Sequence, residues 1–387
     1  MATPSPNVAA PDADAAPPLA AREVLVHWLP HLLSLWIPGN ALLFVVTGPH
    51  PWFVAPLFML PLVLAHRLDT SGRVERRPPP PDLPAWPFDA LVYLLAGLQL
   101  VTVALWVALF ATESIFTVDA LFGLLIVGGS SGYAIITAHE LIHRRKRWEQ
   151  QLGRLLLCSV LYEHFYTEHL RGHHVRVGTP DDPATARFGE SFHAFYRRTV
   201  PAQFRSAWRL EKKRLGDESM SNLDPRMLRH RCVHGLVLGW GTALAAGLAF
   251  GPGAAILFVL QGVLASRLLE VVNYFEHWGL ERTSRRVRPA DSWDTHSWFT
   301  YYALIGLSRH ADHHAWAARP YQQLRVWEEP AILPAGYIGM VTFVLMDNAR
   351  FQRRMTAELE RKQLGPFRPK DEAGASAAGL SPSPTAA

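Results

Sequence analysis

The stretch LFGLLIVGGSSGYAIITAHELIH, residues 121–143, decides the fold. Its first part, 121–138, is apolar and long enough to cross a bilayer as a helix, which takes about 20 residues with a range near 17–25. Its last five residues, His139-Glu140-Leu141-Ile142-His143, follow without a break. Positions i and i+4 share a helix face, so His139 and His143 can address one ion. A membrane span therefore carries two metal-ligand candidates to one of its ends.

Five more apolar segments flank it, at 25–46, 52–66, 88–110, 233–250 and 254–273. Together they predict six transmembrane helices. The segment 52–66 is short and crowded with proline, so a tilted or broken span is expected there. Composition agrees: 49% of residues are hydrophobic and 18% charged, against about 25% charged in soluble domains. The fold expected is all-α, an integral membrane protein with a cytoplasmic histidine-rich cap. One membrane domain is expected over 22–350. A Pro- and Ala-rich disordered segment, 1–21, precedes it, and a cytoplasmic tail, 351–387, disordered from about 371, follows. The start lacks the basic region and apolar run of a signal peptide. Shorter amphipathic or apolar stretches at 152–165, 192–214 and 332–346 are expected to lie on the membrane surface, pack under the bundle or re-enter it.

The net charge of +5 comes mainly from arginine. The arginines cluster between apolar segments and not along a polar domain, so nucleic acid is not an expected partner. Arg67, Arg73, Arg76 and Arg77 follow one segment, and Arg144, Arg145, Lys146 and Arg147 follow 121–138; the connection between, 111–119, holds Glu113 and Asp119 and no basic residue. This alternation places both termini and the Arg-rich regions in the cytoplasm. Cys158 and Cys232 form no CxxC pair and read as packed thiols.

Three further groups join HELIH: Glu168-His169-Leu170-Arg171-Gly172-His173-His174, Asn273-Tyr274-Phe275-Glu276-His277 and His310-Ala311-Asp312-His313-His314. His169 and His173 repeat the i,i+4 spacing, as do His310 and His314. A lone HExxH reads equally as a zinc protease with Glu140 as base. Nine imidazoles in four groups exceed the needs of one zinc ion and point to two metal ions. Ligand type alone leaves Fe, Zn, Cu and Ni open. Glu140, Glu168, Glu276 and Asp312 stand beside ligand candidates, either accepting from imidazoles of other helices or pairing with Arg144, Arg171 or Arg309.

The text HELIH at 139–143, EHLRGHHVRVGTPDDPATAR at 168–187, NYFEHWGL at 273–280 and SRHADHHAWAARPYQQLR at 308–325 resembles the membrane alkane hydroxylases (alkane 1-monooxygenases), within the membrane fatty acid desaturase and hydroxylase superfamily. The likeness runs from Trp86 to Met346. It implies a non-haem di-iron site with His139, His143, His169, His173, His174, His277, His310, His313 and His314 as ligands. It also implies O2 as co-substrate and six transmembrane helices around a hydrophobic substrate tunnel. Electrons would come from a rubredoxin or ferredoxin-like donor, itself reduced by an NAD(P)H-dependent reductase; no flavin or haem is expected in this chain. The family's ATPEDPASAR reads GTPDDPATAR here, LQRHSDHH reads LSRHADHH, and EHYG reads EHWG with Trp278 in the tyrosine's place. The stretch between Trp298 and His310 is also shorter. All nine histidines remain, and the departures bear on substrate and donor.

The function expected is hydroxylation of an alkane or alkyl-bearing hydrophobic substrate in a bacterial inner membrane. Desaturation, or methyl hydroxylation of a xylene-type or terpenoid substrate, uses a similar site and stays open; a membrane zinc hydrolase and a non-catalytic membrane binding or transport protein are more distant rivals. Trp36, Phe44, Phe53, Phe58, Trp106 and Tyr133 are candidate tunnel-wall residues, against ordinary core or lipid anchors. Arg144, Arg145, Lys146, Arg147, Arg171 and Arg176 read either as a docking face for an acidic carrier or as plain positive-inside topology.

Overall fold

The computed structural model describes residues 21–111 and 113–369. The expected disordered start, apart from Ala21, and the tail from 371 lie outside the described residues. In chain order the main helices are α1 (Ala21–Thr47), α2 (Leu60–Asp69), α3 (Trp86–Leu109), α4 (Val118–Ile142), α5 (Arg147–Ser159), α6 (Phe192–Arg214), α7 (Arg231–Phe250), α8 (Pro252–His277), α9 (Trp298–Ala303), α10 (His310–Ala315), α11 (Tyr337–Met346) and α12 (Asn348–Lys362). The only sheet among the described residues is a two-residue parallel pair, Trp293–Asp294 with Ala331–Ile332.

Among the described residues five helices, α1, α3, α4, α7 and α8, are long and apolar enough to cross a membrane. The chain is an all-α, multi-pass membrane protein, with five such spans and not the six expected. The segment 52–66 is the exception. It forms a 3-10 turn, Ala55–Met59, followed by the ten residues of α2. At about 1.5 Å per residue α2 reaches roughly half the hydrocarbon thickness. Pro51, Pro56 and Pro61 each remove an amide donor and block a continuous helix.

This broken segment nevertheless runs from one end of the bundle to the other. At the far end His50 stands with Nδ1 2.9 Å from Asp119 Oδ1 and Nε2 2.9 Å from Thr47 Oγ1, tying the end of α1 to the start of α4. At the other end Asp69 is buried, accepting from Ser297 Oγ at 2.7 Å, Thr300 Oγ1 at 2.5 Å and the Gly339 amide at 3.0 Å. Asp69 thus binds the return segment to the cap.

The two spans that end in site residues, α4 and α8, pack closely. A Cβ on Gly128 would lie 2.7 Å from Leu264 Cδ2, so glycine permits the approach. The cap is built of α6, α9, α10, α11 and α12. The stretch 332–346 neither spans nor re-enters as a long helix: α11 packs on α8 and α2. The boundary expected at 350 falls inside α12. Its Phe351, Met355 and Leu359 are buried in one core with Tyr274 and Trp278, so the first part of the expected tail is cap. Cys158 and Cys232 are buried and unpaired.

Candidate metal centre

All nine histidines converge in the cap. They come from the last turn of α4, a short helical segment over 165–176, the last turn of α8, and α10. One group holds His139, His143, His169, His174 and His313; His173, His277 and His314 form a second, and His277 and His310 with Glu276 a third that shares His277. Read together, the last two give a four-histidine set beside the five-histidine set. The sets touch where the His174 and His314 rings stack at 4.4 Å.

The partnership at 169–174 differs from the expected i,i+4 pairing. His169–His173 is a π-helical turn, in which residues five apart, not four, come into line. His169 therefore meets His174, Nε2 to Nε2 at 3.0 Å, and His173 turns to the other set. His310 and His314 do share one set, and His313 between them serves the five-histidine set.

The donor atoms fit metal binding. His143, His169, His174 and His313 place successive Nε2 atoms 3.0–3.1 Å apart, and His310 and His277 stand 3.2 Å apart. Nitrogens held about 2.1 Å from one ion at right angles lie roughly 3 Å from each other. Both ring nitrogens of His314 are buried without a hydrogen-bond partner among the described residues. Such orphaned groups call for an explanation, and a bound metal supplies one. Burial first, and neighbouring histidines second, hold His143, His169, His174, His310, His313 and His314 well below the usual imidazole range. These rings are neutral near pH 7, the form that binds metal.

The carboxylates divide between the two expected roles, with different arginine partners for two of them. Glu140 pairs with Arg144, at 2.7 Å. Glu168 pairs with Arg176 at 2.6 Å, not with Arg171. Asp312 accepts from Arg319 at 2.5 Å and from Trp327 Nε1 at 2.7 Å. Only Glu276 faces an imidazole, with Oε1 3.3 Å from His310 Nδ1 and 2.7 Å from the Tyr337 hydroxyl that donates to it. A further orienting group was missed. Asp182 Oδ2 lies 2.9 Å from His173 Nδ1 and accepts from Thr185 Oγ1 at 2.6 Å, while the Ala184 amide donates to Oδ1. The signal was present in the Asp-Pro-Ala-Thr run, which favours such side-chain-to-backbone turns.

A cavity of about 1370 Å³, including its open mouth, runs between α4 and α8 down to the histidines. Its walls are almost wholly apolar, with Leu125, Gly129, Ile136, Leu264 and Leu268 along its length and His139, His169 and His310 at its end. From Leu125 to His139 the rise along α4 is roughly 21 Å. Of the six expected wall residues, Tyr133 lines it and the other five do not: Phe44 and Trp106 are packed in the far-end core, and Phe53 is exposed. Ile37, Met59 and Leu62 from α1 and the broken segment supply wall in their stead.

Fold and site together define a multi-pass membrane protein whose paired histidine groups close the end of an apolar cavity. The profile of the fatty acid desaturase family matches residues 116–343, well over half of the sequence. The chain belongs to that family. It is 41% identical over 229 residues to alkane 1-monooxygenase 2 of Pseudomonas aeruginosa, covering 57% of this chain and 60% of the relative. It is 40% identical over 224 residues to alkane 1-monooxygenase 2 of Alcanivorax borkumensis, covering 55% and 56%. With the xylene/toluene monooxygenase hydroxylase component of Pseudomonas putida the identity is 21% over 202 residues, covering 52% and 54%. In each case the match spans less than two thirds of the relative's length.

Proposed function

We propose that the chain is a di-iron monooxygenase that inserts one oxygen atom of O2 into a C–H bond of an alkane or alkyl-bearing substrate, giving an alcohol. One observation carries the reading: the apolar cavity ends on His139 and His169 of one histidine set and His310 of the other. Its similarity to the alkane 1-monooxygenases of Pseudomonas aeruginosa and Alcanivorax borkumensis supports it.

His139, His143, His169, His174 and His313 would hold one iron, and His173, His277, His310 and His314 the other. Bound iron supplies the redox chemistry toward an unactivated C–H bond that side-chain acids and bases lack. The chain does the rest. Asp182 and Glu276 fix the ring orientations of His173 and His310 and raise ligand basicity. The apolar walls exclude water and lead a linear substrate end-on to the histidines. Electrons come from outside, from a rubredoxin or similar carrier. Arg144, Arg145, Lys146 and Arg147 follow the histidine end of α4, and the opposite α7–α8 turn is Gly251-Pro252-Gly253. That asymmetry supports a cytoplasmic metal end in a bacterial inner membrane.

The test is anaerobic loading with iron, followed by O2, a reductant and octane, with products read by mass spectrometry. Octanol that depends on about two irons per chain is the expected result. An alkene product would move the assignment to desaturation, and zinc-dependent hydrolysis without O2 uptake would sink it.

A further inference from the structure

Asp312 sits inside α10 between His310 and His313 and is fully buried. It is not an imidazole partner. Its oxygens are held from the outer side by Arg319 at 2.5 Å, Trp327 Nε1 at 2.7 Å and the Arg325 amide at 3.1 Å. Trp327 stacks on Trp316, ring centres 5.1 Å apart and 12° from parallel, and the Arg319 guanidinium lies 4.9 Å from the Trp316 ring centre. Trp316 is 42% exposed. A stacked indole pair thus reaches from the cap surface to a carboxylate on the helix that bears three of the nine histidines.

Packing alone does not call for an exposed tryptophan here. Beside the pair runs a groove of about 970 Å³, including its open mouth, walled by Pro78 to Pro81 on one side and Arg319 and Arg325 on the other, with Arg76 at its edge. Arg325 is exposed, and no partner of its side chain is found among the described residues. Arg76 is paired with exposed Glu328 at 3.2 Å and Arg319 with buried Asp312 at 2.5 Å, so among the described residues Arg325 is the groove's unpaired positive charge. Of the docking candidates expected from sequence, Arg144 and Arg176 are occupied by Asp89 and Glu140 and by Glu168, while Arg145, Lys146, Arg147 and Arg171 are exposed but have no exposed stacked indole pair among them. Exposed aromatic and arginine side chains are the residues that dominate protein contacts, and a positive face selects a negative partner.

We propose that the face formed by Trp316, Arg319 and Arg325 docks an acidic one-electron carrier protein, and that the indole pair, Trp316 outside and the half-buried Trp327 behind it, leads its electron through Asp312 to α10. The proposal rests on the monooxygenase reading and names the partner surface of that site. Each encounter oxidises the carrier by one electron and reduces the metal centre by one. Two encounters and two protons balance the conversion of R–H and O2 to R–OH and H2O.

The test uses the full chain in detergent micelles and a purified bacterial rubredoxin as probe. Binding is measured on the metal-free protein at low salt. Arg325→Glu is expected to raise Kd about tenfold, while Arg205→Glu and Arg209→Glu, the same charge change on exposed positions of α6, leave it alone. Oxidation of pre-reduced rubredoxin by the iron-loaded protein is then followed by stopped-flow absorbance. Trp327→Phe, which keeps the stack and removes the N–H to Asp312, is expected to slow it about tenfold with Kd unchanged. An unchanged Kd in Arg325→Glu overturns the docking face. A weakened Kd with an unchanged rate in Trp327→Phe keeps the face and overturns the route. A self-associated chain that Arg325→Glu dissociates would make the surface a contact between copies and overturn the proposal. Because binding is read without metal, wild-type protein that binds rubredoxin but yields no alcohol would sink the function and spare the surface.

Discussion

His169 and His174 face each other, Nε2 to Nε2 at 3.0 Å, across a π-helical turn. The wider turn moves His173 away from His169 and into the other histidine set, so one local irregularity decides which ring serves which group. Gly172 sits within it, where a Cβ would lie 2.5 Å from both Glu168 Oε1 and Arg176 Nη2. Those two side chains form an ion pair in which Glu168 is buried and Arg176 partly exposed, so an added Cβ must displace the pair. Gly172→Ala is expected to break the pair, lower bound iron per chain after reconstitution and lower the melting temperature. Unchanged iron content would separate the π turn from metal binding.

Asp182 holds His173 through Nδ1. Removing a partner of this kind typically costs about 10–100-fold in metal affinity. Asp182→Asn is expected to weaken apparent metal affinity by that order, measured by titration with Co(II) under anaerobic conditions. A titration that overlays wild type would rule out an orienting role.

Gly129 lines the cavity, and a Cβ placed there meets nothing within 4 Å. Gly129→Phe is expected to fill the middle of the cavity. Long substrates should be lost while short ones are still oxidised and iron content stays at the wild-type level. Gas chromatography of products from a series of alkanes reads the outcome; an unshifted length profile would exclude this cavity as the substrate path.

Burial pushes the Glu163 carboxyl up to about 7, although Arg154 pairs with it at 2.6 Å. The folded state therefore holds this proton more tightly than the unfolded state, whose pKa is near the ordinary glutamate value of 4.5. Where the folded state binds more protons, stability falls as pH rises. The window is from about 4.5 to 7. Glu163→Gln removes the titration, so its melting temperature should fall less steeply than wild type across that window. Equal slopes in the two proteins would contradict the assignment.

Orientation is testable by labelling. Ser219→Cys lies between α6 and α7 at the histidine end, and Ser114→Cys lies between α3 and α4 at the far end. With both native cysteines buried, an impermeant maleimide should label Ser114→Cys from the periplasmic face and Ser219→Cys only after access to the cytoplasm. The reverse pattern would invert the topology.

Much of this was legible in the sequence where simple periodicity governs the chain. The spans α3, α4, α7 and α8 follow apolar runs of sufficient length, and His139 and His143 meet because α4 stays α-helical up to Ile142, with His143 capping it. Legibility failed where backbone geometry departs from those periods. Proline broke the 52–66 span into a 3-10 turn and a short helix; its crowding with proline pointed to a tilted or broken span, but not to where the break falls. The π turn reassigned His173 and His174, which no helical wheel of 3.6 residues anticipates. Tyr337 was overlooked because it reaches Glu276 across the fold from α11; Asp182 is only nine residues from His173, but the irregular loop that turns it back has no simple period. The expected walls failed for a similar reason: aromatic size marked Phe44 and Trp106, but which face of a helix meets the cavity depends on neighbours far away in sequence.

His173 and His174 are adjacent in sequence yet belong to different sets, and so do His313 and His314. Each of these two dipeptides is a shared hinge pin. Fixing one ring of the pair restricts the backbone that carries the other, so filling the first set pre-orders the second and lowers its ordering entropy. Loading is therefore expected to be cooperative, with few chains holding a single ion at half saturation. The two ions would also act as one clasp, joining α4, the 165–176 segment, α8 and α10, elements far apart along the chain.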